Sequence, residues 1–349
     1  MTRILERIIP EGIKNKFELV NPKWYIKLRI KELFSRKIKV GFGPIKSDEK
    51  TLSTRKWHID PIVNYINKNS KKYIASVFFE TESLEKYDII IIVKNFDKIS
   101  NEYIKKIKSK KKRVIYHVVD NPVGCKRDYH KEFEFIKLMN GIIISNPLQG
   151  KNIDNRNTTL IGTPVIKKSH KKSYNKNNKI RILWEGRKDY IPLTKKLDII
   201  IKNLSKKLKK EIEFIYFTNL PSKDKGLIKY IEWNLDQRDP LFNNSDIAVS
   251  VKPNEKLQQE KPWTKIQTYM ASGLPVICTP SVADKLIIEN KKTGFFAYSN
   301  KDWQKYLTLL IKNPELREKI GKAGMNYVRK TNSIANISKQ YIDFFNNLR

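Results

Sequence analysis

The residues best suited to chemistry lie between Asp246 and Thr279. Asp246-Ile247-Ala248-Val249-Ser250-Val251 is apolar enough to predict a buried strand, and the polar loop after it carries Glu255, Lys256, Glu260 and Lys261. Pro262 then precedes a helix expected to begin near Trp263 or Thr264. That helix should stop at Ser272-Gly273-Leu274-Pro275, because glycine suits a helix C-terminus and proline prevents continuation. A strand–loop–helix turn of this kind sets the loop and the helix start at the carboxyl edge of a sheet. Free backbone N–H groups and the positive end of the helix dipole make such an edge a phosphate site. Lys265 falls in the first helical turn, where an ammonium suits a diphosphate. The Glu260 carboxylate would face the same cleft and could accept hydrogen bonds from sugar hydroxyls.

Other candidates sit at predicted strand ends. Arg187 follows Gly186 after the strand Ile180–Trp184, and Lys188, Lys195 and Lys196 come shortly after it. Its place at a strand end sets Arg187 near the cleft, with a solvated arginine in a very basic chain as the alternative. His117 closes, or nearly closes, a buried-type strand just before Val118-Val119-Asp120. It reads equally well as a core histidine with one hydrogen bond or as a site residue. Asp120 lies nearer the loop, where it could bind hydroxyls or act as a base. Lys126-Arg127-Asp128-Tyr129-His130 could grip an acidic group or be a solvated helix start. Gly41-Phe42-Gly43 completes no G-x-G-x-x-G, so Gly43 is expected near the cleft without a chemical role. No Asp-x-Asp occupies a suitable loop, the four histidines (58, 117, 130, 170) are dispersed, and Cys125 and Cys278 have no metal spacing.

The elements that must position these groups alternate. After a basic, aromatic segment (residues 1–37), strands are predicted at 38–43, 73–79, 87–93, 113–119 and 141–145, with helices at 55–67 and 101–112 between them. Runs such as Ile89-Ile90-Ile91-Ile92-Val93 are apolar on both faces, as in a parallel sheet covered by helices. Residues 167–179 lack apolar periodicity and read as a linker. The pattern restarts with strands at 180–184, 213–217, 230–233, 246–251 and 276–278 and helices at 193–208 and 264–271. This predicts an α/β chain of two doubly wound, Rossmann-like domains, 38–166 and 180–349, facing a central cleft. The last helix could pack back on the first domain.

The stretch from Glu260 through Thr279 resembles the donor-binding segment of the retaining, family-four glycosyltransferases of the GT-B type. In that family two glutamates stand eight positions apart, the second followed by Ala-Met-Ala-x-Gly-x-Pro-Val. Here Glu260 falls on the first, while Thr268 stands at the second, followed by Tyr-Met-Ala-Ser-Gly-Leu-Pro-Val. Ile287-Ile288-Glu289 to Thr293-Gly294-Phe295-Phe296, Gly186-Arg187 and the terminal helices are similar to further family segments. The resemblance covers nearly all of 180–349 and is mostly architectural over 38–166. It implies transfer of a sugar from a nucleotide diphosphate sugar. Arg187, assisted by Lys195, Thr264 and Lys265, would hold the donor phosphates. His117 would lie near the donor sugar, Glu260 would bind the sugar, and Thr268 would contact the ribose neutrally and with shorter reach than a glutamate. No metal and no cofactor beyond the donor are implied.

Composition narrows the partners less. Lys plus Arg is 71 and Asp plus Glu is 36 in 349 residues, a net charge of +35 that favours acidic partners. A biased Lys-, Ile- and Asn-rich composition accounts for such an excess equally well. No run of about 18 apolar residues predicts a membrane span, and Met1-Thr-Arg-Ile-Leu-Glu-Arg lacks a signal-peptide core, so a cytoplasmic protein is expected. Trp24, Tyr25, Leu28 and Phe34 among lysines suit either packing on the next domain or an anionic membrane surface. A lipid-linked or other glycan acceptor, as in bacterial surface polysaccharide assembly, fits that picture. An inactive GT-B module that binds glycan or a partner enzyme is the alternative, and no nucleic-acid module is recognisable.

Overall fold

The computed structural model describes residues 22–45, 55–79, 83–94, 96–119, 129–153, 155, 157–166, 174, 179–253, 259 and 261–348. The chain divides into two compact units, Met1–Ile166 with Asn332–Arg349, and Lys167–Thr331. Among the described residues, no helix is long and apolar enough to cross a membrane.

The first unit runs α1 (Pro22–Leu33), β1 (Ile38–Ile45), α2 (Asp60–Asn69), β2 (Tyr73–Phe79), β3 (Ile89–Val93), α3 (Asn101–Ser109), β4 (Arg113–Val118), α4 (Tyr129–Lys137), β5 (Gly141–Ile144) and β6 (Thr158–Leu160). Its six strands form one parallel sheet in the order β2-β1-β3-β4-β5-β6. Strands β2, β3 and β5 are buried at every position, the condition of a parallel sheet with both faces covered. Alternate residues feed two cores: Val40, Phe42, Ile91 and Ile115 in one, Ile90, Ile92, Val114 and Tyr116 in the other.

Basic α1 lacks a clean apolar stripe, yet it is seated by Tyr25 and Leu28, both buried. A buried ion pair adds to this: Arg29 donates to Glu32 at 2.7 Å and to the Tyr87 hydroxyl at 2.9 Å, and Ser76 donates to Glu32 at 2.9 Å. The helix expected from Arg55 begins as a π-helical turn, Arg55–Ile59, and becomes α-helical at Asp60, just before Pro61.

The second unit runs β7 (Lys179–Glu185), α5 (Lys195–Leu208), β8 (Glu211–Thr218), β9 (Lys223–Lys225), β10 (Ile228–Glu232), α6 (Leu235–Asn244), β11 (Ile247–Ser250), α7 (Thr264–Ala271), β12 (Val276–Cys278), β13 (Phe295–Phe296), α8 (Asn300–Lys312) and α9 (Pro314–Thr331). The sheet order is β13-β12-β11-β7-β8-β10-β9, parallel except for the β9–β10 edge hairpin. Of the expected linker, the structure describes Tyr174, which donates to the Gly273 carbonyl at 2.9 Å, and Lys179, which opens β7.

Helix α7 ends as its sequence dictates. Gly273 takes φ 74°, Gly273 N–H donates to Met270 O at 2.9 Å and Leu274 N–H to Tyr269 O at 3.1 Å, the paired bonds of a glycine-terminated helix. Helix α9 comes close to this end: a Cβ on Gly321 would sit 2.2 Å from the Gly273 carbonyl oxygen.

The second unit ends at Thr331. The final helix α10 (Ile334–Asn347) belongs to the first unit, with Ile337, Tyr341 and Phe345 in the core that holds Val40 and Phe42. Val165 N–H donates to Asn332 O at 2.7 Å and Val165 bridges to Ser333 at the point of return. Burial of three large side chains decides the matter, since chain order alone does not say which sheet a terminal helix covers.

Candidate functional site

In the second unit the strand order reverses at β7, which has β8 on one side and β11 on the other. Ligands of doubly wound sheets bind outside the carboxyl ends of the strands at such a reversal. There β7 delivers Trp184-Glu185 and then Gly186-Arg187, and β11 leads to Val251-Lys252.

Glu185 is the buried centre of this edge. Arg238 of α6 donates to it twice, Nε to Oε1 at 2.9 Å and Nη2 to Oε2 at 3.0 Å, and Trp233 Nε1 donates to Oε1 at 3.0 Å. The Glu185 backbone N–H donates to the Tyr269 hydroxyl of α7 at 2.8 Å. Burial works against ionisation of Glu185, but Arg238, Trp233 and nearby Lys265 outweigh it and hold the carboxyl below its ordinary range.

Lys265 occupies the first turn of α7 with its ammonium 5.8 Å from the centre of the Trp184 ring. Burial pushes its pKa down to about 8, with Lys252, Lys261 and Arg238 adding repulsion and Glu185 opposing. Lys252 is held at 2.8 Å from each Asp284 carboxylate oxygen and 3.0 Å from Ser281 Oγ. Lys261 donates to the Tyr190 hydroxyl at 3.3 Å. The start of α7 has no side-chain cap bond at Trp263. The edge therefore sets Lys265, Lys261 and the helix N–H groups beside two ion pairs, Glu185 with Arg238 and Asp284 with Lys252, an arrangement suited to a polyanion.

Arg187 lies at this edge, 75% exposed, with Nη2 2.8 Å from Asp189. An exposed pair of that kind is worth little in water and is readily exchanged for a phosphate. Gly186 is required by packing: a Cβ there would meet the Trp184 ring at 2.5 Å. Lys195 opens α5, 60% exposed and 3.4 Å from Asp198. The helix expected from Leu193 is preceded by a 3-10 stretch, Lys188–Thr194, so Lys195 stands in the first turn of α5. Thr264 begins α7 and its carbonyl accepts from Thr268 Oγ1 at 2.8 Å. The Thr268 hydroxyl is thus bonded into its own helix. Glu260 and Asp120 lie outside the described residues.

Gly43 and His117 belong to the first unit. Gly43 is on β1, where that sheet reverses, but its lack of a Cβ serves packing: one would sit 2.4 Å from the Phe78 carbonyl oxygen. His117, on β4, is 2% exposed with both ring nitrogens engaged, Nε2 with Ser145 Oγ at 3.1 Å and Nδ1 with the Tyr341 hydroxyl at 3.1 Å. Burial, with His58 beside it, pushes its pKa down to about 3, so the ring is neutral.

Arg187 and Lys265, read from their positions at a strand end and a helix start, and Lys195, implied by the resemblance, all lie in the second unit. Spacing in the sequence does not single out Trp233, Arg238 or Lys252. The one available signal was Glu185 itself, a charge closing an otherwise apolar strand end.

No protein-family model matches this sequence, and no curated protein matches it. Among solved structures it is similar to Anabaena HepE, determined with UDP, with UDP and glucose, and with UDP-glucose. In the UDP complex the identity is 12%, the match covers 89% of this chain and 100% of that one, and the TM-score is 0.59. Sucrose-phosphate synthase of Thermosynechococcus elongatus is similar at 10% identity, covering 90% and 99%, with TM-score 0.62. A point mutant of Staphylococcus aureus TarM, in complex with fondaparinux, alpha-GlcNAc-glycerol and UDP, is similar at 14% identity and TM-score 0.58; the match covers 82% of this chain but spans 58% of TarM. At such identities the likeness defines the fold, and that fold is GT-B.

Proposed function

We propose that this chain is a glycosyltransferase that moves a hexose-type sugar from a nucleoside diphosphate sugar to a hydroxyl of a glycan or lipid-linked glycan. The observation that carries this reading is the cationic edge at the strand reversal of the second unit, where Arg238 and Lys265 act on ionised Glu185 beside Arg187, and Lys252 and Lys261 add their charge near Lys265. As the anomeric C–O bond breaks, negative charge grows on the departing diphosphate. Arg187, Lys195, Lys265 and the N–H groups opening α7 stabilise it there, in the place a metal ion would take. Glu260 binds the sugar hydroxyls, and Asp120 serves the acceptor side. His117, neutral and doubly bonded, orients its strand end, with Gly43 on the same sheet edge. The GT-B neighbours with bound UDP and UDP-glucose support a nucleotide-sugar donor, and the resemblance of residues 260–279 supports retention of configuration.

A cytoplasmic protein seated peripherally on the inner face of the plasma membrane, acting in surface polysaccharide synthesis, completes the reading. Supporting it, Ile30, Leu33 and Phe34 are exposed at the end of α1, and Lys31 and Lys37 border the same groove. The test is a screen of UDP-, GDP- and dTDP-sugars for nucleoside diphosphate release with membrane extract as acceptor. Release with at least one donor is expected; consumption of none would sink the enzyme reading.

The bond from Thr268 Oγ1 to Thr264 O favours a second reading, a GT-B module without transferase activity that binds glycan or a partner enzyme. On that reading calorimetry detects none of the donors.

A further inference from the structure

Trp233 follows β10 at the carboxyl edge of the second sheet, and its backbone N–H donates to Thr218 O at the end of β8 at 2.7 Å. Its indole reaches back over β8, stacked on Phe217 with ring centres 6.1 Å apart and planes 29° from parallel. From there Nε1 meets Glu185 at the end of β7, at 3.0 Å. The carboxylate is itself locked by two bonds from Arg238, which is buried. Despite these contacts the residue stays 43% exposed. A large apolar ring left open to water at a strand edge, with its one polar atom already satisfied by a buried ion pair, is rigid and prepaid in entropy. Such a ring offers a π-face to another flat ring. Two residues beyond Glu185 stands Arg187, and Lys265, its ammonium 5.8 Å from the centre of the neighbouring Trp184 ring, is close enough for the Glu185 charge to act on it.

We propose that the Trp233 indole is the platform on which the heteroaromatic base of a nucleoside diphosphate stacks, with Glu185 and Arg238 as the positioning residues that fix its plane. The inference rests on the nucleotide-sugar reading above. It assigns the two ends of the ligand separately, the base to the β8–β10 side of the reversal and the diphosphate to Arg187, Lys195 and Lys265. Stacking is tolerant of base identity, since every base has a π-face. Trp233 therefore supplies affinity for a base in general, and the choice among bases falls to groups that meet its edge.

The test is calorimetric titration of UDP, GDP, dTDP and inorganic pyrophosphate into the full chain and into Trp233→Phe and Trp233→Leu. Wild type should bind at least one nucleoside diphosphate well above pyrophosphate. Trp233→Leu should lose tenfold or more in affinity for that nucleotide while its pyrophosphate affinity stays within twofold, which also shows that the site is folded. Trp233→Phe, which keeps a stacking face, should lose less than Trp233→Leu. Unchanged nucleotide affinity in Trp233→Leu, or an equal loss of nucleotide and pyrophosphate, would overturn the platform and leave the donor reading standing. Failure of wild type to bind any of the three nucleotides would overturn both.

Discussion

Arg238 grips Glu185 through two guanidinium nitrogens, at 2.9 and 3.0 Å, although 53 residues separate them in the chain. The pair lies in the interior, where one partner without the other is an uncompensated charge. Arg238→Leu should therefore destabilise the second unit by about 3–5 kcal/mol. Adding Glu185→Leu should restore a large part of that loss. Denaturant unfolding of the two single variants and the double variant checks it. Equal stability of Arg238→Leu and wild type would contradict the buried pair.

Lys265 should make anion binding depend on pH. Its pKa stands at about 8 in the unliganded protein, and a bound diphosphate would raise it, so binding takes up a proton once the pH exceeds that value. The ligand's own protonation acts on both proteins alike, so the ratio of wild-type to Lys265→Met affinity for pyrophosphate isolates the lysine. That ratio should be above one and constant below about pH 8, then fall toward tenfold per pH unit until the raised pKa is reached. Titrations in buffers of different ionisation enthalpy would show the proton directly.

His117 makes an opposite kind of statement, about acid stability. Its pKa is lowered to about 3 in the folded protein from an ordinary 6.5, so the unfolded chain binds the proton first. The stability it contributes is complete above about pH 6.5 and is lost as pH falls toward 3, at up to about 1.4 kcal/mol per pH unit. His117→Gln should show a shallower loss than wild type over pH 6.5–4. Parallel stability curves would contradict a buried neutral imidazole.

Gly321 and Gly273 test the packing beneath α7. Gly321→Ala would push a Cβ to 2.2 Å from a backbone oxygen, and backbone does not yield cheaply, so a loss of about 1–3 kcal/mol is expected. Gly273→Ala forces φ 74° on an alanine, at about 1–2 kcal/mol. Thermal unfolding of both variants should rank Gly321→Ala as the more damaging or equal. A wild-type midpoint in Gly321→Ala would mean that α9 does not approach α7 so closely.

The strands were legible where burial on both faces writes itself as an unbroken apolar run, as in Ile89–Val93, and the end of α7 where Gly273 is needed for its dihedral angle. Less legible were elements whose stability is tertiary. Lys223–Lys225 is an exposed, fully charged edge strand that has no apolar pattern to betray it. Helix α10 carries an ordinary amphipathic stripe, and nothing in the stripe names the sheet it covers. At the candidate site, Arg187 and Lys265 were visible because one stands at a strand end and the other at a helix start, whereas Lys195 was set apart from Lys188 and Lys196 only by the resemblance. The Glu185–Arg238–Trp233 cluster was not, because it is assembled from three elements whose proximity only the folded sheet creates.

The central claim is that the strand-reversal edge of the second unit holds the diphosphate of a nucleotide-sugar donor. Its most direct test is calorimetric titration of UDP-, GDP- and dTDP-sugars into wild type and into Arg187→Ala/Lys265→Met. Wild type should bind at least one donor saturably, and the double variant should lose at least tenfold in affinity with its fold intact. Binding of that donor with undiminished affinity by the double variant, or no binding of any donor by wild type, would contradict it.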